Sequence, residues 1–164
     1  MAHVSDLVRF QIKDEQDLTD PEELAYTVDI FDFLRNKYPD VLLNVDVGMS
    51  VLEMQNFMQQ VKPDLLMNQS YHFFGENSPG GPVATPGGSP TNIYRDMAIF
   101  REAALLGNDG TGNQPIPYGM FTQMFIRGGP GGHAASDSET RLQNFAGWAF
   151  GYTLMDAFVY ETDS

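Results

Sequence analysis

What most constrains this 164-residue chain is the alternation of strand-like and helix-like hydrophobic patterns along nearly all of it. Leu7-Val8-Arg9-Phe10-Gln11-Ile12-Lys13 is β-rich and partly alternating. A helix start follows: Asp20 can cap, Pro21 fits the first helical position, and Glu22 and Glu23 suit the positive end of the helix dipole. Leu24, Val28, Phe31, Leu34 and Tyr38 then recur at helical spacing until Pro39-Asp40. Residues 41–47 are a nearly continuous apolar run, the pattern of a strand buried on both faces. Ser50 and Glu53 have capping-box spacing, and Val51, Met54, Phe57, Met58 and Val61 form a helical stripe stopped by Pro63.

The same rhythm continues. A third strand is expected over 64–74, followed by a Gly/Pro-rich loop over 75–89 that is long for a βα connection. Pro90 opens a helix with Ile93, Met97, Phe100, Ala104 and Leu105 on one face and Gly107 at its end. A strand is expected over 116–126, a second glycine-rich loop over 127–137, and a helix begun by the Ser136/Glu139 capping box and carried by Leu142, Phe145, Ala146, Ala149 and Phe150. Trp148 falls inside that apolar pattern and is expected in the core. The last strand is expected over 154–160. This β-α-β-α-β-α-β-α-β order implies one parallel sheet with right-handed crossovers. An open flavodoxin-like sheet satisfies it, and so does about five-eighths of a (β/α)8 barrel. Periodicity does not separate the two.

Composition narrows the function classes. The hydrophobic fraction of 42% suffices for a single sizeable core. A formal net charge of -13 argues against nucleic acid and anionic ligands, because phosphate binding relies on clustered Lys and Arg. No basic amphipathic stretch suggests a membrane surface. With no cysteine, disulfides, thiolate catalysis and Cys-ligated metals are excluded. His3, His72 and His133 have no metal-ligand spacing, so no metal and no cofactor are expected. The paired glycines at 80–81, 87–88, 128–129 and 131–132 lack the lysine of a phosphate loop. No signal-peptide run is present; a targeting segment for a secreted or periplasmic protein would have to lie outside this chain.

Local motifs choose between the two folds. Phe10-Gln11-Ile12-Lys13-Asp14-Glu15-Gln16, ahead of a capped helix, resembles the strand ending in Asp-Glu-Pro of β-galactosidase-like and agarase-like glycoside hydrolases. Residues 63–73, ending in Asn68-Gln69-Ser70-Tyr71-His72-Phe73, are similar to the sixth barrel strand of that group. Residues 92–101 with Ile116-Pro117-Tyr118 and Phe121-Thr122-Gln123 resemble its sixth helix and seventh strand. Residues 138–151 resemble its seventh helix, and Phe158-Val159-Tyr160 its eighth strand. The resemblance implies a single α/β domain over 1–164, a parallel-stranded partial TIM barrel of about five strands and four helices covering strands four to eight. The first three strands would then lie outside this chain.

The resemblance also implies a carbohydrate substrate and catalysis at the carboxyl ends of the strands. Glycoside hydrolysis needs one carboxylic acid to protonate the leaving oxygen and a second carboxylate to attack the sugar or activate water. Glu15 is the implied general acid; the residues alone also fit a solvated acidic turn of Asp14, Glu15 and Asp17. Glu161 is taken as the second catalytic carboxylate, with Asp46 and Glu76 as alternatives. Asp14, Asp46, Gln69, Tyr71, His72, Gln123 and Tyr160 are the expected substrate-binding residues. The sequence departs from the group's pattern at Gln16, where Pro is common, and at Gln123, where related enzymes carry the nucleophilic Glu. A non-catalytic carbohydrate-binding or structural relative of the barrel therefore remains the alternative. Five strands of a barrel leave two exposed parallel edges, so self-association through those edges is expected.

Overall fold

The structure is a computed structural model that describes residues 8–12, 19–47, 51–73, 90–125 and 135–158. Its elements are β1 (Arg9–Gln11), α1 (Pro21–Lys37), β2 (Leu42–Val47), α2 (Val51–Val61), β3 (Leu65–Asn68), α3 (Pro90–Leu106), β4 (Tyr118–Gln123), α4 (Asp137–Ala149) and β5 (Leu154–Phe158). The expected alternation is present in full. The local chemistry accounts for the helix boundaries. Asp20 caps α1 by accepting from the Glu22 N–H at 2.8 Å, with Pro21 at the first helical position. Ser136 and Glu139 form the reciprocal capping box of α4. Ser50, the expected cap of α2, lies outside the described residues.

All strands are parallel, and the sheet runs β1-β2-β3-β4-β5 without a change of direction. This decides the question periodicity left open. A flavodoxin-like sheet starts in the middle and reverses, giving the order 2-1-3-4-5. Here each crossover moves one strand further the same way, so consecutive helices sit side by side. The result is a curled, partial (β/α) barrel.

Two layers of side chains follow from the register. Phe10, Ile12, Leu43, Val45, Leu66, Tyr118 and Met120 face the helices. They join Phe31 of α1, Met54, Phe57 and Met58 of α2, Ile93, Met97 and Phe100 of α3 and Ala146 of α4 in one core. The opposite, concave face carries Leu65, Met67, Phe121, Leu154 and Phe158, a second cluster closed by Tyr71 and Phe125. Arg9 of β1 reaches across that face to Asp156 of β5, an ion pair of 2.5 Å between the first strand and the last. Such a contact requires a strongly bent sheet.

Three expectations on extent and packing need correction. β3 stops at Asn68, well short of residue 74, because the Asn68 side chain accepts from the Ser70 N–H at 2.8 Å and turns the chain. β4 spans only Tyr118–Gln123 of the expected 116–126. Trp148 is 58% exposed rather than in the core. The inner face of α4 is set by Gln143, Ala146 and Gly147, and Trp148 lies on its flank, edge-on to Phe145 at 5.4 Å.

Glycines at 119 and 147 allow close approaches between the sheet and its neighbours. A Cβ on Gly119 would lie 2.8 Å from the Leu154 carbonyl oxygen and 2.8 Å from Met67 Sδ. A Cβ on Gly147 would meet only the flexible ends of Met155, at 2.7 Å, and Met120, at 3.2 Å. Gly119→Ala must therefore move backbone and is expected to lower stability by about 1–3 kcal/mol, as overpacking does. Gly147→Ala displaces methionine tails and gains up to about 1 kcal/mol of helix propensity, so it is expected to be far milder. Urea unfolding of both variants checks the contrast; equal losses would mean that the β4–β5 approach is not tight.

Candidate functional site at the carboxyl ends of the strands

The two ends of the concave face differ chemically. At the amino ends lies a cavity of about 360 Å³ lined by Val8, Arg9, Leu42, Leu65, Pro117, Thr153 and Leu154. It is apolar apart from the Arg9 guanidinium, which Asp156 already engages. The carboxyl ends are polar. Asp46 on β2, Asn68 at the end of β3, Gln69, Ser70 and His72 just beyond it, and Gln123 at the end of β4 are all buried.

In-register strands present these groups together. Asp46 pairs with Met67 and Val47 with Asn68, so the end of β2 lies beside the end of β3. Asp46 shares the concave side of β2 with Asn44, both wholly buried. The Asn44 carboxamide makes no side-chain hydrogen bond, and neither does the Ser70 hydroxyl. Buried polar atoms of this kind normally find a partner, so both mark places where a polar ligand or water would gain most. Tyr71 stacks on Phe158 with centroids 5.8 Å apart and meets Phe125 edge-on at 5.0 Å, forming an aromatic wall beside the polar groups.

Other polar side chains here are already engaged by the fold. The Gln123 carboxamide accepts from the Phe73 N–H at 3.1 Å and donates to the Phe73 carbonyl at 2.9 Å. It thus clips the segment after β3 to the end of β4. Gln143 of α4 accepts from the Gln123 backbone N–H at 2.7 Å. Asn68 donates to the Tyr152 hydroxyl at 3.4 Å, which donates to the Met97 carbonyl at 3.2 Å. Burial pushes the Tyr152 phenol well above its ordinary range, so it remains a donor.

Among the described residues, one cluster of buried ionisable groups was not legible from sequence. Asp96 of α3, 1% exposed, places Oδ2 3.2 Å from His72 Nε2. Arg95 donates to the other oxygen, from Nε at 3.2 Å and from a terminal nitrogen at 3.1 Å. Burial, and then the Arg95 charge, lower the His72 pKa from 6.5 to about 4, so the imidazole is neutral at neutral pH. Burial raises the Asp96 pKa, and Arg95 opposes that rise. Asp96 escaped the sequence reading because it lies mid-helix next to an arginine, where a solvated pair is the ordinary expectation.

Of the residues expected to act, the structure brings Asp46, Gln69, Tyr71, His72 and Gln123 to the carboxyl end of the sheet. Asp14, Glu15, Glu76, Tyr160 and Glu161 lie outside the described residues. Among the described residues, no group of three or more His, Cys, Asp or Glu side chains is placed to hold a metal ion, and no helix is long and apolar enough to cross a membrane. Compared with known protein families and with curated proteins, the chain matches none.

The His72 shift has a stability consequence of definite sign. The unfolded chain takes up this proton near pH 6.5 and the folded chain only near pH 4. Stability is therefore full above pH 6.5 and falls as pH drops toward 4, by on the order of 3 kcal/mol from this group. The raised Asp96 pKa acts in the opposite direction, so the effect is read by difference. The urea stability of the wild type minus that of His72→Gln is expected to shrink between pH 6.5 and 4. A difference that stays constant over that range would show that His72 titrates normally.

Proposed function

We propose that this chain binds a carbohydrate at the carboxyl ends of its strands, as part of a glycoside-hydrolase-like barrel in which Glu15 is the general acid. The observation that carries the reading is the run of buried polar side chains on two neighbouring strand ends: Asp46 from β2, and Gln69, Ser70 and His72 after β3, beside the Tyr71 ring. A ligand that satisfies such a set offers many closely spaced donors and acceptors and an apolar face. Sugar rings have both: hydroxyls for the carboxylate, amide and hydroxyl groups, and C–H faces for an aromatic wall.

The chemistry would follow the two-carboxylate scheme. Protonated Glu15 gives its proton to the glycosidic oxygen as the bond to the anomeric carbon breaks. A second carboxylate, Glu161 or Asp46, attacks that carbon or takes a proton from the attacking water. Asp46 is the one of the two that the described residues include, at the end of a strand and wholly buried. Neutral His72 is suited to hydrogen-bonding a sugar hydroxyl without adding charge.

One observation favours the second reading, a carbohydrate-binding relative without hydrolysis. Gln123 stands where the resemblance would put a nucleophilic Glu, and both ends of its carboxamide are held by the Phe73 backbone. A side chain so engaged is part of the scaffold.

Binding and hydrolysis of a panel of β-linked oligosaccharides separate the readings. The chain is expected to bind at least one of them, with a loss of roughly tenfold or more in Gln69→Ala. If it also hydrolyses that sugar, Glu15→Gln is expected to cut the rate by roughly 100-fold or more while leaving binding in place. Binding without turnover would select the second reading. No binding across the panel, by a folded chain, would remove both.

A further inference from the structure

The His72–Asp96–Arg95 cluster is more ordered than a polar scaffold requires. Asp96 is 1% exposed, and its two carboxylate oxygens are treated differently. Oδ1 receives two N–H groups from Arg95, whose side chain is 44% exposed and so holds the carboxylate from the solvent side. Oδ2 points inward, lies 3.2 Å from His72 Nε2, and accepts no hydrogen bond as placed. A buried carboxylate oxygen at contact distance from an imidazole nitrogen gains most from that ring's N–H.

We infer that Asp96 is a positioning residue: with one oxygen clamped by Arg95, its other oxygen fixes the His72 imidazole at the carboxyl end of β3 with Nε2 protonated and Nδ1 left as a hydrogen-bond acceptor. The inference rests on the carbohydrate reading for what Nδ1 would accept, namely a hydroxyl of the bound sugar. Three features support it beyond the distance. His72 is neutral, so one nitrogen must carry the hydrogen and the other the lone pair. Asp96 sits on α3 between the core residues Ile93, Met97 and Phe100, a rigid platform. The nearby Tyr152 hydroxyl is already directed to the Met97 carbonyl and does not compete for Oδ2. Among the described residues, the ionisable groups near the imidazole are Arg95 and Asp96 of α3, and Tyr152 of the segment before β5 also feels the Asp96 charge. The arrangement copies the logic of metal and catalytic histidines, whose tautomer is chosen by what the second nitrogen meets.

The tautomer is measurable without any ligand, and the chain has only three histidines to assign. Nitrogen-15 spectra of the folded wild type near pH 7 are expected to show His72 as a single Nε2–H tautomer. Asp96→Ala is expected to give a mixture with the Nδ1–H form. Asp96→Asn keeps the shape and removes the charge, and serves where Ala does not fold; its Nε2 resonance is expected to move upfield as the bond weakens. Arg95→Gln removes the positive charge that lowers the His72 pKa and is expected to raise its titration midpoint. An Nδ1–H tautomer in the wild type, or an unmoved His72 signal in both Asp96 variants, would overturn the inference. Oligosaccharide affinity is then read separately: a fivefold or greater loss in Asp96→Asn supports the role in binding, and unchanged affinity overturns that role. If the wild type binds no sugar, the carbohydrate reading fails while the tautomer result still decides whether Asp96 positions His72.

Discussion

The rest of the structure depends on one constraint: every crossover carries the chain to the next strand in the same direction. Five parallel strands laid down in sequence order put all four helices on one face, where they share a single core with the strands. The sheet bends toward the face the helices leave open. The bend is tight enough for Arg9 on the first strand to meet Asp156 on the last, and Gly119 has no side chain where β4, β5 and Met67 crowd together. Curvature, more than any single motif, creates the concave face and its two chemically different ends.

That arrangement also sorts the polar residues into two kinds. Gln123, Gln143, Asn68 and Tyr152 join strand ends to neighbouring segments; their hydrogen bonds replace the ladder bonds lost where strands stop. Asn44, Ser70 and the His72–Asp96 pair lie beside them in a low-dielectric setting where any unmatched polar atom is costly. The proposed carbohydrate site would draw on the second kind. Residue type alone does not reveal such a clip: Gln123 is a buried glutamine at a strand end, and only the fold shows its carboxamide closed onto a backbone N–H and carbonyl of the adjoining segment.

Where the sequence reading succeeded, the cause was local. Asp20-Pro21 and the Ser136/Glu139 box start helices because short-range bonds satisfy the free N–H groups there, and both caps are present. The apolar run of β2 and the stripe of α2 follow from periodicity. Where the reading missed, the cause was a contact with another element. β3 ended early because Asn68 turned back on Ser70. Trp148 was expected inside because it falls within the apolar pattern of α4; instead Gln143, Ala146 and Gly147 form the inward face, with Gly147 close against Met155 and Met120. Asp96 was overlooked because its partner His72 is 24 residues away and meets it only once β3 and α3 pack.

The sequence by itself determined the order and kind of the elements, the single parallel sheet that such an order implies, and the acidic, cysteine-free character that excludes whole classes of chemistry. Those are properties of hydrophobic period, capping residues and composition, all readable within a few residues of one another. Only the tertiary structure decided that the sheet curls in sequence order instead of opening in two directions. It alone decided that Gln123 is a clip, that Trp148 faces outward, and that Asp96 lies against His72. Each of these depends on strand neighbours, bend and packing between residues tens of positions apart, and no local pattern encodes which of several compatible partners a buried side chain will meet.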